Sequence, residues 1–181
     1  PGLRGGGMLA NEFIRLPVQF VGAQPPGTPS WGRAHKDFMR RNYRRNIMVQ
    51  GPTQDMPTWD GRVQLDPAVK DYWGLPVLRI SGDKHDHTIE IANRQAERAE
   101  AWLKEAGAVL TYQRKAGRGV SGHQHQSGTC RMGDDPKTSV VDATCRIHDV
   151  PNVFVVDASV HVTNGGFNPA LTIFANAFRA S

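Results

Sequence analysis

The feature that most constrains the fold is a strand, loop and helix pattern at the end of the chain. Val153 to Val156 form a fully apolar run, as a strand covered on both faces of a parallel sheet requires. The loop ASVHVTNGGF follows Asp157 and leads into NPALTIFANAFRA, where Asn168 suits an N-cap and Pro169 the first helical position. The pattern predicts an α/β fold that places Asp157 and Asn168 at a ligand-binding sheet edge. The last helix is expected to bury the stripe formed by Leu171, Phe174, Ala177 and Phe178.

Shorter elements separated by turns are predicted for the rest of the chain. NEFIRLPVQFVG indicates a strand followed by an irregular loop, and AHKDFMRRNYRR indicates a basic helix from Ala34 to Arg45. Strands are predicted at Val63 to Leu65, in LPVLRIS and in AVLTYQR. The clearest helix runs from Thr88 to Ala106, because small and apolar residues recur at three- and four-residue steps and Gly107 supplies a stop.

Composition excludes several classes of protein. The 181 residues are 39% hydrophobic, enough for an ordinary core in one domain or slightly more, and they contain no repeat. Two cysteines, Cys130 and Cys145, are too few for a disulfide framework, so reduced and half-buried thiols are expected. No apolar run approaches the ~20 residues that span a bilayer. A soluble, cytoplasmic protein with no membrane span is therefore predicted, and we expect that Pro1 is not the natural start of the polypeptide.

The formal net charge of +5 raises the question of an acidic partner, and much of the excess lies in one helix. Its cations can neutralise phosphates while Phe38 and Tyr43 stack on bases. The alternative is a solvated helix face with two apolar anchors, which is favoured because short runs of charge are usually surface. We therefore predict no nucleic-acid partner, and a basic module that binds an acidic partner is kept as the non-enzymatic alternative. The cations concerned are Arg40, Arg41, Arg44 and Arg45.

Two pairs of histidines, in KHDHT and GHQHQ, suggest a metal site. A His-x-His pair in a strand directs both imidazoles to one face, and two such pairs can make a tetrahedral zinc site. Against this interpretation, KHDHT leads directly into the predicted helix, where His85 and His87 fit an exposed cap region. Neither a carboxylate nor a cysteine is placed obviously to complete the metal sphere, so no metal is predicted and the zinc interpretation stays a minor alternative.

Four elements near the C-terminus occur in a characteristic order and spacing: HQSGTCRMG, TSVVD, NVFVVDASV and NPALTI. In this the chain from about Gly122 to Ala180 resembles the C-terminal signature of the glucose-methanol-choline (GMC) oxidoreductases, FAD-dependent enzymes that oxidise alcohols. VQLDPAVKDYWGLPV resembles the part of the family's substrate domain that precedes this signature. The resemblance implies that residues 1–121 belong to a substrate-binding domain of α+β type, built on a sheet. Residues 122–181 would then carry the catalytic histidine segment and the last strand and helix of a Rossmann-like FAD-binding domain.

The resemblance also implies which residues form the site. In the family the histidine of an H-x-x-G-T element is the catalytic base, and His125 fits that pattern where His123 does not. The second member of the catalytic pair, His or Asn before the last helix, corresponds to Asn168. The family's flavin contacts correspond to Asp157, Ala158, Asn168, Pro169 and Thr172.

Physical chemistry agrees with this transfer. A neutral imidazole, with a pKa near ~6.5, is the natural base for a hydroxyl proton at physiological pH. A helix N-terminus at Asn168 and Pro169 would stabilise the negative charge of a reduced flavin. The Asn168 amide can bond the substrate oxygen, or it can serve only as a helix cap.

The sequence departs from the family pattern in two places. Many relatives carry an aromatic residue or a proline around the positions of His161 and Val162, so His161 is either a substrate contact or merely exposed. The family's phosphate-binding G-x-G-x-x-G lies in its N-terminal half, and GLRGGG is no substitute because it neither follows a strand nor opens a helix. We therefore expect a C-terminal fragment, inactive alone, that needs its N-terminal half to bind FAD and to oxidise a small alcohol or sugar.

Overall fold

The computed structural model describes residues 5–12, 15–120 and 125–181. It is a mixed α/β structure with short strands and three longer helices, α2, α3 and α4, among the described residues. In chain order the described elements are β1 (Ala10–Glu12), α1 (Pro17–Val21), α2 (Gly32–Asn42), a 3-10 turn (Tyr43–Arg45), β2 (Met48–Gln50), β3 (Gln54–Asp55), β4 (Arg62–Lys70), β5 (Pro76–Ser81), α3 (Asp86–Glu105), β6 (Arg146–Ile147), β7 (Val150–Phe154), a second 3-10 turn (Ala158–Val160), β8 (Asn164–Gly165) and α4 (Ala170–Ala180).

The described strands form four separate antiparallel ladders of two strands each. β1 pairs with β2, β4 with β5 and β6 with β7, all neighbours in the chain. The remaining ladder joins β3 to β8, which aligns Asp55 with Asn164 and Gln54 with Gly165 across more than 100 residues of sequence. This long-range pairing brings the middle of the chain against the segment that precedes α4.

The regular predicted elements are confirmed with small shifts at their ends. The basic helix is α2 followed by its 3-10 turn, and the two predicted strands at 63–65 and in LPVLRIS are β4 and β5. The predicted alanine-rich helix is α3, which buries Thr88, Ile91 and Ala99. Gly107 has φ +88° and directly follows the last turn, as a helix stop requires.

The strand predicted in NEFIRLPVQFVG is wrong beyond its first residues. Among the described residues of this segment, Asn11 and Glu12 belong to β1 (Ala10–Glu12), and Pro17 instead begins α1. Proline has its φ set for a first helical turn and has no N–H to lose there. The Leu16 N–H donates to Gln19 Oε1 over 2.8 Å, which closes that first turn.

The strand predicted in AVLTYQR is also wrong, because this segment bonds through side chains rather than in a ladder. The Thr111 hydroxyl donates to Glu100 on α3 over 2.7 Å, and the Tyr112 hydroxyl donates to the Ala23 carbonyl. Gln113 and then Thr111, by hydrogen bonding to the Glu100 carboxylate, lower the pKa of Glu100 to about 2. The segment has the residue pattern of a strand, but the hydrogen bonds of its polar side chains determine where its backbone lies.

The fully apolar run at 153–156 does not form a buried parallel strand. β7 pairs antiparallel with β6, and both Val153 and Phe154 are exposed. Within the described ranges the single parallel contact is the isolated bridge between Met132 and Val141. An apolar run predicts that both faces of a strand are covered. It does not indicate whether residues of this chain cover them.

The predicted buried stripe of the last helix is likewise exposed. Leu171, Phe174 and Phe178 on α4 are 82%, 62% and 80% exposed. Their three- and four-residue spacing marks one apolar helix face, as predicted, but the described residues do not cover it.

α4 is attached to the rest of the structure by its other side, through the small core of Val141, Cys145 and Val160. The Cys145 thiol accepts a hydrogen bond from Asn176 Nδ2 over 3.1 Å, and Ala180 packs against the same core. Both cysteines are free, as predicted, but Cys145 is fully buried where a half-buried thiol was expected.

The glycines of GLRGGG that the structure describes, Gly5 to Gly7, do not open a helix. The Gly6 carbonyl accepts from the Gln54 N–H over 2.7 Å, and Gly7 forms a bridge to Thr53. A Cβ on Gly7 would clash with the Pro52 carbonyl oxygen. These glycines therefore allow a close backbone crossing beside β3, which differs from binding a phosphate.

The two aromatic residues of the basic helix are anchors, as the favoured interpretation of that helix predicts. Phe38 and Tyr43 pack against Phe20 with ring centroids 6.1 and 6.0 Å away. The cations Arg33 and Arg40 pair with Asp37 on the exposed face. The aromatic rings are thus occupied within the fold, which removes the stacking partners that a nucleic-acid site would need.

Among the described residues, no helix combines the length and the apolar character that crossing a bilayer requires.

Replacing Phe20 tests this aromatic cluster. Phe20 is 1% exposed, and Phe20→Ala is expected to lower the free energy of unfolding by about 3–5 kcal/mol through lost burial and a cavity. Val18→Ala on the same helix is the matched control, because Val18 is 74% exposed and its loss should change stability by less than about 0.5 kcal/mol. Urea denaturation measures both, and equal effects would contradict the cluster's role.

Candidate active site

A cleft of about 1010 Å³ lies where the β1–β2 and β3–β8 ladders meet α3. Its walls come from residues 50–57, from the first turns of α3 and from two C-terminal segments, at 125–127 and 162–168. The polar side chains of the C-terminal segments include His125, Gln126, Ser127, Asn164 and Asn168. The cleft is therefore the place where residues distant in sequence converge.

The two residues predicted as a catalytic pair are in contact in this cleft. The Asn168 Nδ2 atom lies 3.1 Å from His125 Nε2, although 43 residues separate them in the chain. An amide nitrogen donates hydrogen bonds and does not accept them, so in this contact Nε2 supplies a lone pair. This contact corresponds to the tautomer whose ring proton lies on Nδ1, which leaves the lone pair on Nε2.

The predicted N-cap role of Asn168 is wrong. α4 begins at Ala170, Pro169 occupies the cap position, and no side chain caps the helix. The difference is one residue along the chain, but it changes what the amide does. Because Asn168 lies outside the helix, its side chain is turned to His125 instead of to the helix N–H groups.

The other residues predicted to touch a flavin lie outside the cleft lining. The Asp157 carboxylate caps the second 3-10 turn by accepting from the Ser159 hydroxyl and from the Ser159 N–H. These two bonds, the hydroxyl first, lower the pKa of Asp157 below its usual value, so the carboxylate is ionised at neutral pH. Ala158 is half-buried in the same turn, Pro169 precedes α4, and Thr172 is exposed in the first turn of α4.

His161, predicted as a substrate contact or an exposed residue, is not exposed in this structure, and its role as a substrate contact stays a prediction. Its ring is half-buried and does not line the cleft, whereas its neighbour Val162 does. The His161 Nε2 atom is buried, and among the described residues it has no hydrogen-bond partner. Most buried polar atoms have a hydrogen-bond partner, so this nitrogen is an exception.

The histidines of the alternative metal interpretation have a local role on α3. His85 is the N-cap, and its Nδ1 accepts from the His87 N–H over 3.1 Å. In the described parts of the chain, no group of three or more His, Cys, Asp or Glu side chains is arranged to hold a metal ion. His123 lies outside the described residues.

Sequence reasoning missed Asn164 and Lys84, which both line the cleft. Asn164 Nδ2 donates to the His125 carbonyl over 2.6 Å, and Lys84 Nζ donates to the Gly119 carbonyl over 2.9 Å. The only local signal for Asn164 is the Asn-Gly dipeptide of VTNGGF, which indicates a turn and not a contact. Lys84 has no local signal, because its role depends on a loop that follows α3.

Comparison with known proteins shows the family of the chain. A family model described as GMC oxidoreductase matches residues 57–177, about two thirds of the chain. The chain belongs to the GMC oxidoreductases. The matched range includes both residues of the pair, His125 and Asn168, and it begins well before the segment where the sequence resemblance is densest.

Two bacterial relatives extend the similarity over most of the chain. It is 34% identical over 178 residues to 2-methyl-1,2-propanediol dehydrogenase of Mycolicibacterium austroafricanum, covering 98% of this chain and 32% of the relative. It is 31% identical over 183 residues to the gluconate 2-dehydrogenase flavoprotein of Pantoea cypripedii, covering 88% and 30%. The chain therefore spans about a third of the length of these GMC relatives.

One solved structure is also similar, the pyridoxine 4-oxidase from Mesorbium loti. The sequence identity is 22%, the TM-score is 0.41, and the match covers 75% of this chain and 28% of the oxidase.

Removing the Ser159 hydroxyl tests the electrostatics of the Asp157 turn. A carboxylate with a depressed pKa contributes stability above its unfolded pKa of about 3.9 and loses it as the pH falls through the folded value. Ser159→Ala should therefore destabilise the protein at neutral pH, and its difference from wild type should shrink below about pH 4. Thermal midpoints from pH 2.5 to 7 measure this, with exposed Ser30→Ala as the control. A difference that does not depend on pH would contradict the assignment.

Proposed function

We propose that the chain is the C-terminal part of an FAD-dependent oxidoreductase that converts a hydroxyl group of a small alcohol or sugar to a carbonyl. The observation that carries the proposal is the contact of His125 with Asn168 inside the cleft. The names of its relatives, a propanediol dehydrogenase and a gluconate dehydrogenase flavoprotein, support hydroxyl compounds as the substrate class and a flavin as the cofactor.

In this proposal His125 is the base and Asn168 orients the substrate oxygen. A hydroxyl cannot fit between two nitrogens that lie 3.1 Å apart, so substrate binding has to separate them. The substrate oxygen then accepts from Asn168 Nδ2 while its proton points at His125 Nε2. One contact within the protein is replaced by two contacts to the substrate, and the proton leaves toward His125 Nε2. FAD, when bound, supplies at N5 the acceptor for the hydride from the substrate carbon.

The residues around α4 fit a flavin at this site. The first N–H groups of α4 have no side-chain cap, and a helix N-terminus favours the negative charge of a reduced flavin. The unpartnered His161 Nε2 lies directly after the turn that contains Asp157 and Ala158. We assign Asp157, Ala158, Asn168, Pro169 and Thr172 as the residues of this chain that hold FAD.

The proposal includes an N-terminal portion that carries the dinucleotide-binding motif. The chain spans about a third of its relatives, and two of its apolar faces are not covered by the described residues. One is the α4 face; the other is a face of the β4–β5 hairpin, where cross-strand pairs stand side by side. In this division residues 1–121 contribute to a substrate-binding domain and residues 122–181 complete the FAD-binding domain. The exposed hairpin residues are Val63, Leu65, Leu78 and Ile80.

Loss of His125 tests the chemistry. In the flavin-loaded enzyme, His125→Ala should leave flavin bound and slow its anaerobic reduction by a hydroxyl substrate roughly 10²–10⁴-fold, the range for loss of a general base. Stopped-flow absorbance of the flavin measures the rate, against a panel of sugars and simple alcohols. His123→Ala is the matched control, because His123 stands outside the H-x-x-G-T pattern. An unchanged rate in His125→Ala would overturn the assignment.

A charge on the α4 face tests the proposed docking. Phe174→Asp would bury an unpaired carboxylate against the N-terminal portion, at a cost of roughly 3–5 kcal/mol. The purified enzyme should then lose most of its bound flavin, as the ratio of flavin to protein absorbance measures. Ala101→Asp adds the same charge at an exposed helical position, on α3 instead of α4, and should retain flavin. Equal flavin content in the two variants would contradict docking through this face.

A further inference from the structure

We infer that Asn164 is a positioning residue that holds His125 and Asn168 in their mutual geometry through the main chain. The inference rests on the proposed function, since it concerns the same pair. Asn164 itself contacts the His125 carbonyl and the Gly166 N–H rather than the imidazole, so it acts through other residues.

The backbone of His125 needs an external support. His125 has φ +73°, a left-handed conformation that residues with a Cβ adopt only when their surroundings hold them there. Besides His125, Cys145 is the one non-glycine residue in the described ranges with positive φ, and it is fixed by complete burial in the core. His125 lies at the cleft and is not in the buried core, so a hydrogen bond has to provide the support.

Asn164 provides that support from a strand. Its Nδ2 donates to the His125 carbonyl over 2.6 Å, across 39 residues of sequence. Asn164 is half-buried and belongs to β8, where it pairs with Asp55 of β3. The direction of the His125 side chain is thereby tied to a ladder and does not depend on its own loop alone.

The other end of the Asn164 amide fixes the start of the segment that leads to Asn168. Asn164 Oδ1 accepts from the Gly166 N–H over 3.0 Å. Gly166 is buried with φ +71°, and a Cβ there would lie 2.8 Å from the Gln54 nitrogen and 3.0 Å from the Gly6 oxygen. Asn168 follows two residues after Gly166. The Asn164 amide therefore bonds both to His125 and to the segment that leads to Asn168.

The two hydrogen bonds of the Asn164 amide, to the His125 carbonyl and from the Gly166 N–H, can be removed separately by substitution. Asn164→Asp keeps an oxygen for the Gly166 N–H but replaces the donor to the His125 carbonyl with an acceptor. His125 would then relax from its left-handed backbone, and its ring would move away from the substrate oxygen. A misplacement of about 1 Å can cost about 10²-fold in rate.

The test measures flavin reduction in the flavin-loaded enzyme with Asn164→Asp, His125→Ala and the double variant. Asn164→Ala removes both hydrogen bonds without adding charge. It is included in case the carboxylate of Asn164→Asp prevents folding. Asn42→Asp is the matched control, since Asn42 Nδ2 donates to the Phe38 carbonyl over 2.9 Å in α2, outside the cleft lining. Flavin content and thermal midpoint are recorded for every variant.

We expect Asn164→Asp to lower the limiting rate of reduction by roughly 10- to 100-fold, with the half-saturating substrate concentration changed by less than about threefold. Asn42→Asp should leave both unchanged. Because Asn164→Asp removes the hydrogen bond to His125 and keeps an acceptor for the Gly166 N–H, its effect depends on His125, and the double variant should be no slower than His125→Ala alone.

Rates that multiply in the double variant would overturn the inference. A wild-type rate in Asn164→Asp would also overturn it. If the carboxylate prevents Asn164→Asp from folding, a wild-type rate in Asn164→Ala would overturn it instead. In each of these outcomes a slow His125→Ala variant leaves the proposed function in place. A fast His125→Ala variant would instead reject the proposed function and the inference together.

Discussion

The antiparallel pairing of β3 with β8 holds the candidate site together. The two strands contribute only two aligned residue pairs, yet these join the middle of the chain to the segment before α4. The Gly6 carbonyl extends the same hydrogen-bonded edge by accepting from Gln54, and glycines at the crossing let the backbones approach closely. The cleft, the support of His125 and the placement of Asn168 all depend on this small ladder.

Hydrogen bonds, rather than core packing, determine the geometry of the site. The buried cluster of Val141, Cys145 and Val160 supports α4 from one side, while His125 and Asn168 lie on irregular segments beyond it. Such segments are placed by individual bonds to the backbone, so each bond lost is expected to move a reacting group by a measurable distance. In the proposed function this arrangement suits a site that opens, because a hydroxyl would enter only once His125 and Asn168 separate.

The small core leaves apolar faces of the described chain exposed. Within the described chain, large apolar side chains are exposed on one face of α4 and on one face of the β4–β5 hairpin. Exposed apolar area of this extent marks an interaction surface. These surfaces also explain a failed prediction of burial. The apolar runs at 153–156 and at 171–178 predict covered faces, and the described chain does not cover them. The spacing of apolar residues indicates that a face is covered, but it does not indicate which segment or partner covers it.

The sequence by itself determined the elements whose signals are local. Helix α3 follows from its three- and four-residue period and from Gly107. The H-x-x-G-T pattern likewise favours His125 over His123 as the predicted base, through the family resemblance. Tertiary structure alone decided that Asn168 faces His125 and not the α4 backbone, that Asn164 supports the left-handed His125, and that β7 pairs antiparallel. The physical reason is range. Caps and periods depend on residues within a few positions of each other, whereas these contacts join segments about 40 residues apart or depend on which strand edge is free to pair.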